Sequence, residues 1–270
     1  MKLLDQRRLT LVALLGGPGS GGAREGAGRP RGSGGDETST GSTQEKIDKT
    51  TRRAVEVAEQ LGVNPGIINV VDKEPTPFKV GDLQFREAGH YDPTTGQIEI
   101  NVQAAYDDRM SVTQGIVAHE CFHAMYHDVR KEQEVEHAAI TALPEEDYDR
   151  MFGRNGYARP EAMKEIAQRF PVSAAFSKTW GDGYINEGKM QAMRKEDGHS
   201  SYAKAYWTPE ALALNGSLER AVNETLAEVT RYQIAPASWS EKDTIPKLSS
   251  SWSKMAKDIR AVHASIKGRK

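Results

Sequence analysis

Between Ile116 and Met125, two histidines and a glutamate interrupt an otherwise apolar run, Ile-Val-Ala-His-Glu-Cys-Phe-His-Ala-Met. A helix over Ser111 to Val129 would carry apolar residues on nearly every side of this trio, the pattern of a buried helix. Burying two imidazoles and a carboxylate without partners is costly. The trio therefore needs partners inside the fold, and no other segment constrains the architecture as strongly.

His119 and His123, at i and i+4, project from one helix face about a turn apart. That spacing lets both rings reach a single tetrahedral zinc ion. Glu120 stands to one side of them, where it can take a proton from a zinc-bound water. The bland reading is a solvated helix face with two ordinary histidines, and the apolar flanks argue against it. Cys121 lies at i+2 from His119 and faces the core, as a structural thiol would. His127 continues the series by another turn, too far along the axis to share the ion, and reads as a supporting or surface residue.

A catalytic zinc needs a third protein ligand and one open position. The extended His-Glu-x-x-His-x-x-Gly-x-x-His pattern would require glycine at position 126 and histidine at 129, where this chain has Tyr126 and Val129. Asn223-Glu224-Thr225-Leu226-Ala227-Glu228 is the better source. Glu224 can bind zinc, and Glu228 one turn on can hydrogen-bond the second nitrogen of a ligand histidine. The same spacing also fits an exposed ion-pair ladder made with Arg220 and Arg231. Glu187 is a rival third ligand.

The chain around these motifs has 270 residues, with 36 Lys and Arg against 38 Asp and Glu. A formal charge of −2 gives no reason to expect nucleic acid as a partner. A single cysteine rules out an intrachain disulfide. No stretch approaches the ~20 apolar residues that cross a bilayer, so no membrane partner is expected. Lys2, Arg7 and Arg8 before the short run Leu9–Leu15 resemble a secretory leader. Asp5, the minimal run and the Gly-Gly-Pro that follows count against secretion.

Residues 1–42, dominated from Gly16 by Gly, Ser, Arg and Pro, are expected to form a flexible arm and linker. Residues 43–270 are expected to fold as one domain. Gln44–Leu61 has helical spacing and Gly62 is a stop. Ile67–Val71 reads as a strand. Leu83–Arg86 and Gln97–Asn101, either side of a Pro/Gly turn, read as a hairpin. A charged helix near 131–140, a helix over Ser217–Tyr232 and a terminal helix over Lys254–Ile266 complete the expected elements.

The strand at Gln97–Asn101, the His119–His123 helix and the later Asn-Glu-Thr-Leu-Ala-Glu helix together resemble the glutamate-zincin (gluzincin) superfamily of thermolysin-like metallopeptidases. The likeness covers roughly residues 83–232. It implies an α+β zincin-like catalytic domain over 43–270, its active-site helix packed beside a small mixed sheet and its C-terminal part mostly helical. It implies one zinc ion per chain, held by His119, His123 and Glu224, with Glu120 as general base and Glu228 supporting a ligand. It also implies a protein or peptide substrate, bound by strand addition to the edge of Gln97–Asn101. Two departures stand out. About a hundred residues separate His123 from Glu224, and the supporting acid is Glu rather than Asp. An oxyanion donor is expected opposite Glu120, with Tyr202, Tyr206, His199 and Tyr232 as candidates. The Gly-rich arm is similar to linkers in tailed-phage polyproteins. That likeness implies a phage- or prophage-encoded protein with phage structural proteins as partners, located in the host cytoplasm or the virion. A zinc-binding assembly module without turnover and a toxin or cell-wall hydrolase are the alternative functions.

Overall fold

The computed structural model describes residues 23–24, 42–80, 83–106, 110–152, 158–180, 203–204, 206–209, 218–236 and 250–268. These form a mixed α+β structure that is mostly helical. Its strands are β1 (Ala23–Arg24), β2 (Ile68–Val71), β3 (Pro77–Val80), β4 (Leu83–Glu87), β5 (Gly89–Asp92) and β6 (Gln97–Asn101). Its helices are α1 (Thr43–Leu61), α2 (Val102–Ala105), α3 (Met110–Thr141), α4 (Glu145–Met151), α5 (Met163–Arg169), α6 (Pro171–Trp180), α7 (Leu218–Ile234) and α8 (Ser250–Lys267).

Local chemistry sets the first helix. The Ser42 side chain accepts a hydrogen bond from Glu45 N at its start, and Gly62 closes its end in the left-handed conformation with φ 69°. Ala54, Val57, Ala58 and Leu61 turn inward and pack α1 against α3. Gly62 thus ends the helix where the sequence places the stop.

The strands form two three-stranded sheets, β1-β4-β3 and β2-β6-β5. In the second, β6 runs parallel to β2 and antiparallel to β5. This corrects the expected hairpin. The partner of Gln97–Asn101 is Gly89–Asp92, with Asp92 opposite Gln97, while Leu83–Glu87 pairs with Pro77–Val80. Turn chemistry explains the shift. The Asp92 carboxylate accepts from Thr94 N at 2.8 Å and Thr95 Oγ1 at 2.9 Å, and Gly96 adopts φ 71°. The turn therefore tightens to Pro93–Gly96, leaving Gly89–Asp92 free to extend. Strand β6 is consequently central, and the edge next to α3 belongs to β5.

Helix α3 runs unbroken for 32 residues, joining the two helices expected over 111–129 and 131–140. No Pro or Gly occurs between Ile116 and Thr141 to stop it, and Pro144 follows its end. All of Ile116–Tyr126 is buried, on every helix face, by α1, α7, α8 and β5. Further on, the helix contributes Ile140 to a second apolar cluster with Met151, Phe152, Ile166, Phe170 and Ala174. The first cluster lies around the His119–His123 turn. Among the described residues no helix is long and apolar enough to cross a membrane.

Within residues 1–42, Ala23–Arg24 and Ser42 lie among the described residues. Ala23 and Arg24 pair antiparallel with Glu87 and Arg86 on the open edge of β4, where backbone groups bond whatever the side chains are. Ser42 is the helix cap.

Two polar ties hold the long helix to its neighbours. Buried Glu136 accepts from Val172 N at 2.9 Å and Ser173 N at 2.7 Å, capping α6 from a distant part of the chain. Asp128 accepts from His263 Nε2 at 3.3 Å and Lys267 Nζ at 3.0 Å, docking α8. Glu136→Ala would leave two amides uncapped, and we expect a loss of about 1–3 kcal/mol in urea unfolding. For Asp128, the His263 hydrogen bond, with the Lys267 ammonium, holds the carboxyl well below its usual range despite partial burial. A depressed pKa contributes stability that is present above the unfolded value, about 3.9, and is lost as pH falls below it. Because the pair is partly exposed, Asp128→Asn should cost only about 0.5–1 kcal/mol near neutral pH. The difference from the parent should shrink in melts taken below about pH 4.

Candidate metal centre

The i, i+4 spacing on α3 sets the His119 and His123 rings 4.8 Å apart, edge to face. Helix α7 packs against this turn and brings Glu224 opposite both. Glu224 Oε2 lies 3.3 Å from His119 Nε2 and 3.6 Å from His123 Nε2. The donor atoms of these three residues all lie within 4.8 Å of one another, and the residues are buried. Ligand atoms around a tetrahedral ion with bonds of about 2.0–2.1 Å stand about 3.3–3.4 Å apart. The two measured separations are close to that value.

Glu228, one turn beyond Glu224, takes the position expected of it. Its Oε1 accepts from His119 Nδ1 at 2.9 Å. With Nδ1 engaged in this bond, Nε2 is the nitrogen that faces Glu224. Arg231 reaches the same carboxylate at 3.1 Å. The exposed ladder is therefore not what forms: Glu224 is 0%, Glu228 3% and Arg231 8% exposed. Arg220 lies over the Tyr206 ring, 5.4 Å from its centre.

The donor set fits a divalent cation. Glu120, Glu224 and Glu228 are three buried carboxylates, and Arg231 is the buried cation beside them. Counted with every acid ionised and both imidazoles neutral, two negative charges are left over, and either protons or a cation can balance them. Neither ring nitrogen of His123 makes a hydrogen bond of ordinary geometry, although the Asn223 side chain reaches toward the ring. Protons compete for the same charge. Burial works against a charged His119, but hydrogen bonds to Glu224 and Glu228 overcome it and lift its pKa to about 10. Burial holds His123 below its usual value. Burial also opposes ionisation of Glu224, yet the two imidazoles hold it down to about 2.

Glu120 is not one of the converging donors. Its carboxylate is fully buried, its oxygens lack a hydrogen bond of ordinary geometry, and burial pushes its pKa up to about 8. Its environment was only partly legible in the sequence. Gly89, at the start of the edge strand, leaves room for it. A methyl group at Gly89 would stand 2.8 Å from Glu120 Cγ and 3.2 Å from its Oε1. The signal that could have found Gly89 is a glycine opening a strand, which often marks close approach of another group.

Cys121 is fully buried and burial raises its thiol pKa, in keeping with a structural thiol. His127 Nδ1 is 2.6 Å from the Tyr91 hydroxyl, tying α3 to β5 away from the donor cluster. Of the oxyanion candidates, Tyr206 is buried against Arg220 and Tyr232 is partly buried on α7. His199, Tyr202 and the rival ligand Glu187 lie outside the described residues. Comparison with protein-family models, curated proteins and solved structures gave no match.

Gly89→Ala should destabilise the protein by about 1–3 kcal/mol through overpacking. In a Glu120→Ala background, which removes the opposing Cγ, the cost should fall, the remainder coming from Ile116 Cγ2, 3.1 Å from the same methyl. Urea midpoints for the four proteins of this cycle check the contact, and an undiminished cost in the double variant would refute it.

Proposed function

We propose that this chain is a zinc-dependent peptidase of the gluzincin type, with one zinc held by His119, His123 and Glu224. The observation that carries this reading is the convergence of their donor atoms, at separations suited to a tetrahedral ion, in a fully buried cluster of two imidazoles and a carboxylate. A zinc ion held there supplies a Lewis acid that makes water nucleophilic near neutral pH.

The other roles belong to the chain itself. Glu120 accepts a proton at its carboxylate and returns it to the leaving amine. Glu228 holds the Nδ1–H of His119, fixing the ring and its tautomer. An extended substrate has an edge to pair with at Gly89–Asp92. It is not the edge of Gln97–Asn101 inferred from the resemblance, because β2 and β5 occupy both sides of that strand. Strand addition at β5 would bring the substrate backbone alongside Gly89, in reach of Glu120. The substrate class is therefore protein or peptide, with phage structural proteins the partners suggested by the arm.

One observation favours a second reading, a zinc-binding assembly module without turnover. His119, Glu120, His123 and Glu224 are each at most 3% exposed, and a working site must admit substrate. One set of variants separates the two. Elemental analysis should find about one zinc per chain in the parent, and much less in His119→Ala and Glu224→Ala. Glu120→Gln should keep its zinc and lose at least ~10²-fold in cleavage of a mixed peptide library. Zinc present with no cleavage by the parent would favour the assembly module. No zinc, even after its addition, would remove both readings.

A further inference from the structure

We infer that Arg231 is a positioning residue for the metal site, acting through Glu228 to fix the His119 ring; the inference rests on the metal reading above. Arg231 lies nearly one turn beyond Glu228 on α7 and is itself buried. Its Nη1 is 3.1 Å from Glu228 Oε1 and 3.5 Å from Oε2, so it addresses both oxygens. Oε1 is the atom that also accepts from His119 Nδ1. One carboxylate oxygen thus receives the histidine from α3 and the guanidinium from its own helix.

A glutamate side chain has several rotatable bonds, and a single hydrogen bond to His119 does not hold it in one orientation. The second donor restrains the same carboxylate and supplies the positive charge that a buried carboxylate needs. With Glu228 held, the Nδ1–H of His119 has a fixed acceptor, and Nε2 stays directed at Glu224. A guanidinium suits this place because it stays charged when buried and is more weakly hydrated than an ammonium, and here its Nη1 meets both oxygens. In the sequence, Arg231 and Arg220 look equivalent, each a cation on the acidic face of α7. The fold separates them by placing Arg220 over Tyr206 and Arg231 on Glu228.

Zinc affinity, measured by chelator competition with zinc alone as the probe, tests this on the full chain. The proteins are the parent, Arg231→Met, Arg231→Lys, Glu228→Gln and the Arg231→Met/Glu228→Gln double variant. Loss of a group that orients a metal ligand typically weakens binding roughly 10- to 100-fold. Arg231→Met should show a loss of that order, and Arg231→Lys a smaller one. The double variant should bind no more weakly than Glu228→Gln, as expected of a residue whose effect on the site runs through Glu228. If Arg231→Met fails to fold, the lysine variant decides, with parental affinity overturning the inference. Losses that multiply in the double variant, or parental affinity in Arg231→Met, would also overturn it while leaving the metal reading intact. A parent that binds no zinc would overturn the metal reading and this inference together.

Discussion

The packing of α7 against α3 brings two acids to face two histidines in the protein interior, and the rest of the structure is arranged around that contact. Each group would be costly to bury alone. Together they offset one another: Glu224 lies between the two rings, Glu228 holds the outer nitrogen of His119, and Arg231 holds Glu228. Removing one member of such a set leaves another charge uncompensated, at about 3–5 kcal/mol for a buried pair. The apolar shell of α1, α8 and β5 around α3 makes these interactions strong by excluding water.

The small sheet contributes by position more than by size. Strand β6 lies at its centre and β5 at the edge beside α3. Tyr91 bonds His127 from that strand, and Gly89 makes room for Glu120. The edge strand and the general-base candidate are thus in van der Waals contact. Their relative placement is set by a missing side chain.

How legible was this in the sequence? The His119–His123 turn was, because its flanks are apolar on all sides and the i, i+4 spacing admits few geometries. The helix and sheet content was also legible in outline. Three features were not, each for a physical reason. The hairpin partner of Gln97–Asn101 depended on Asp92 closing a tight turn, and Gly-His-Tyr-Asp has too weak a strand pattern to show it. Beyond Val129, charged residues suggested a separate helix, yet nothing there breaks α3. Whether Glu224, Glu228 and Arg231 were solvated or buried could not be decided from spacing, since an ion-pair ladder and a buried network share it. Tertiary contact with α3 decides that question.

The two histidines are neighbours on one helix turn, but Glu224 is about a hundred residues further along the chain. The two imidazoles can therefore come together as soon as α3 forms, on the timescale of local helix growth. The third donor joins only after a long loop closes and α7 docks, a non-local step that is slower and coupled to formation of the core. A chain still emerging from the ribosome has the two histidines side by side and no carboxylate opposite them. The complete cluster is thus a property of the finished fold, whereas the histidine pair is a property of one helix.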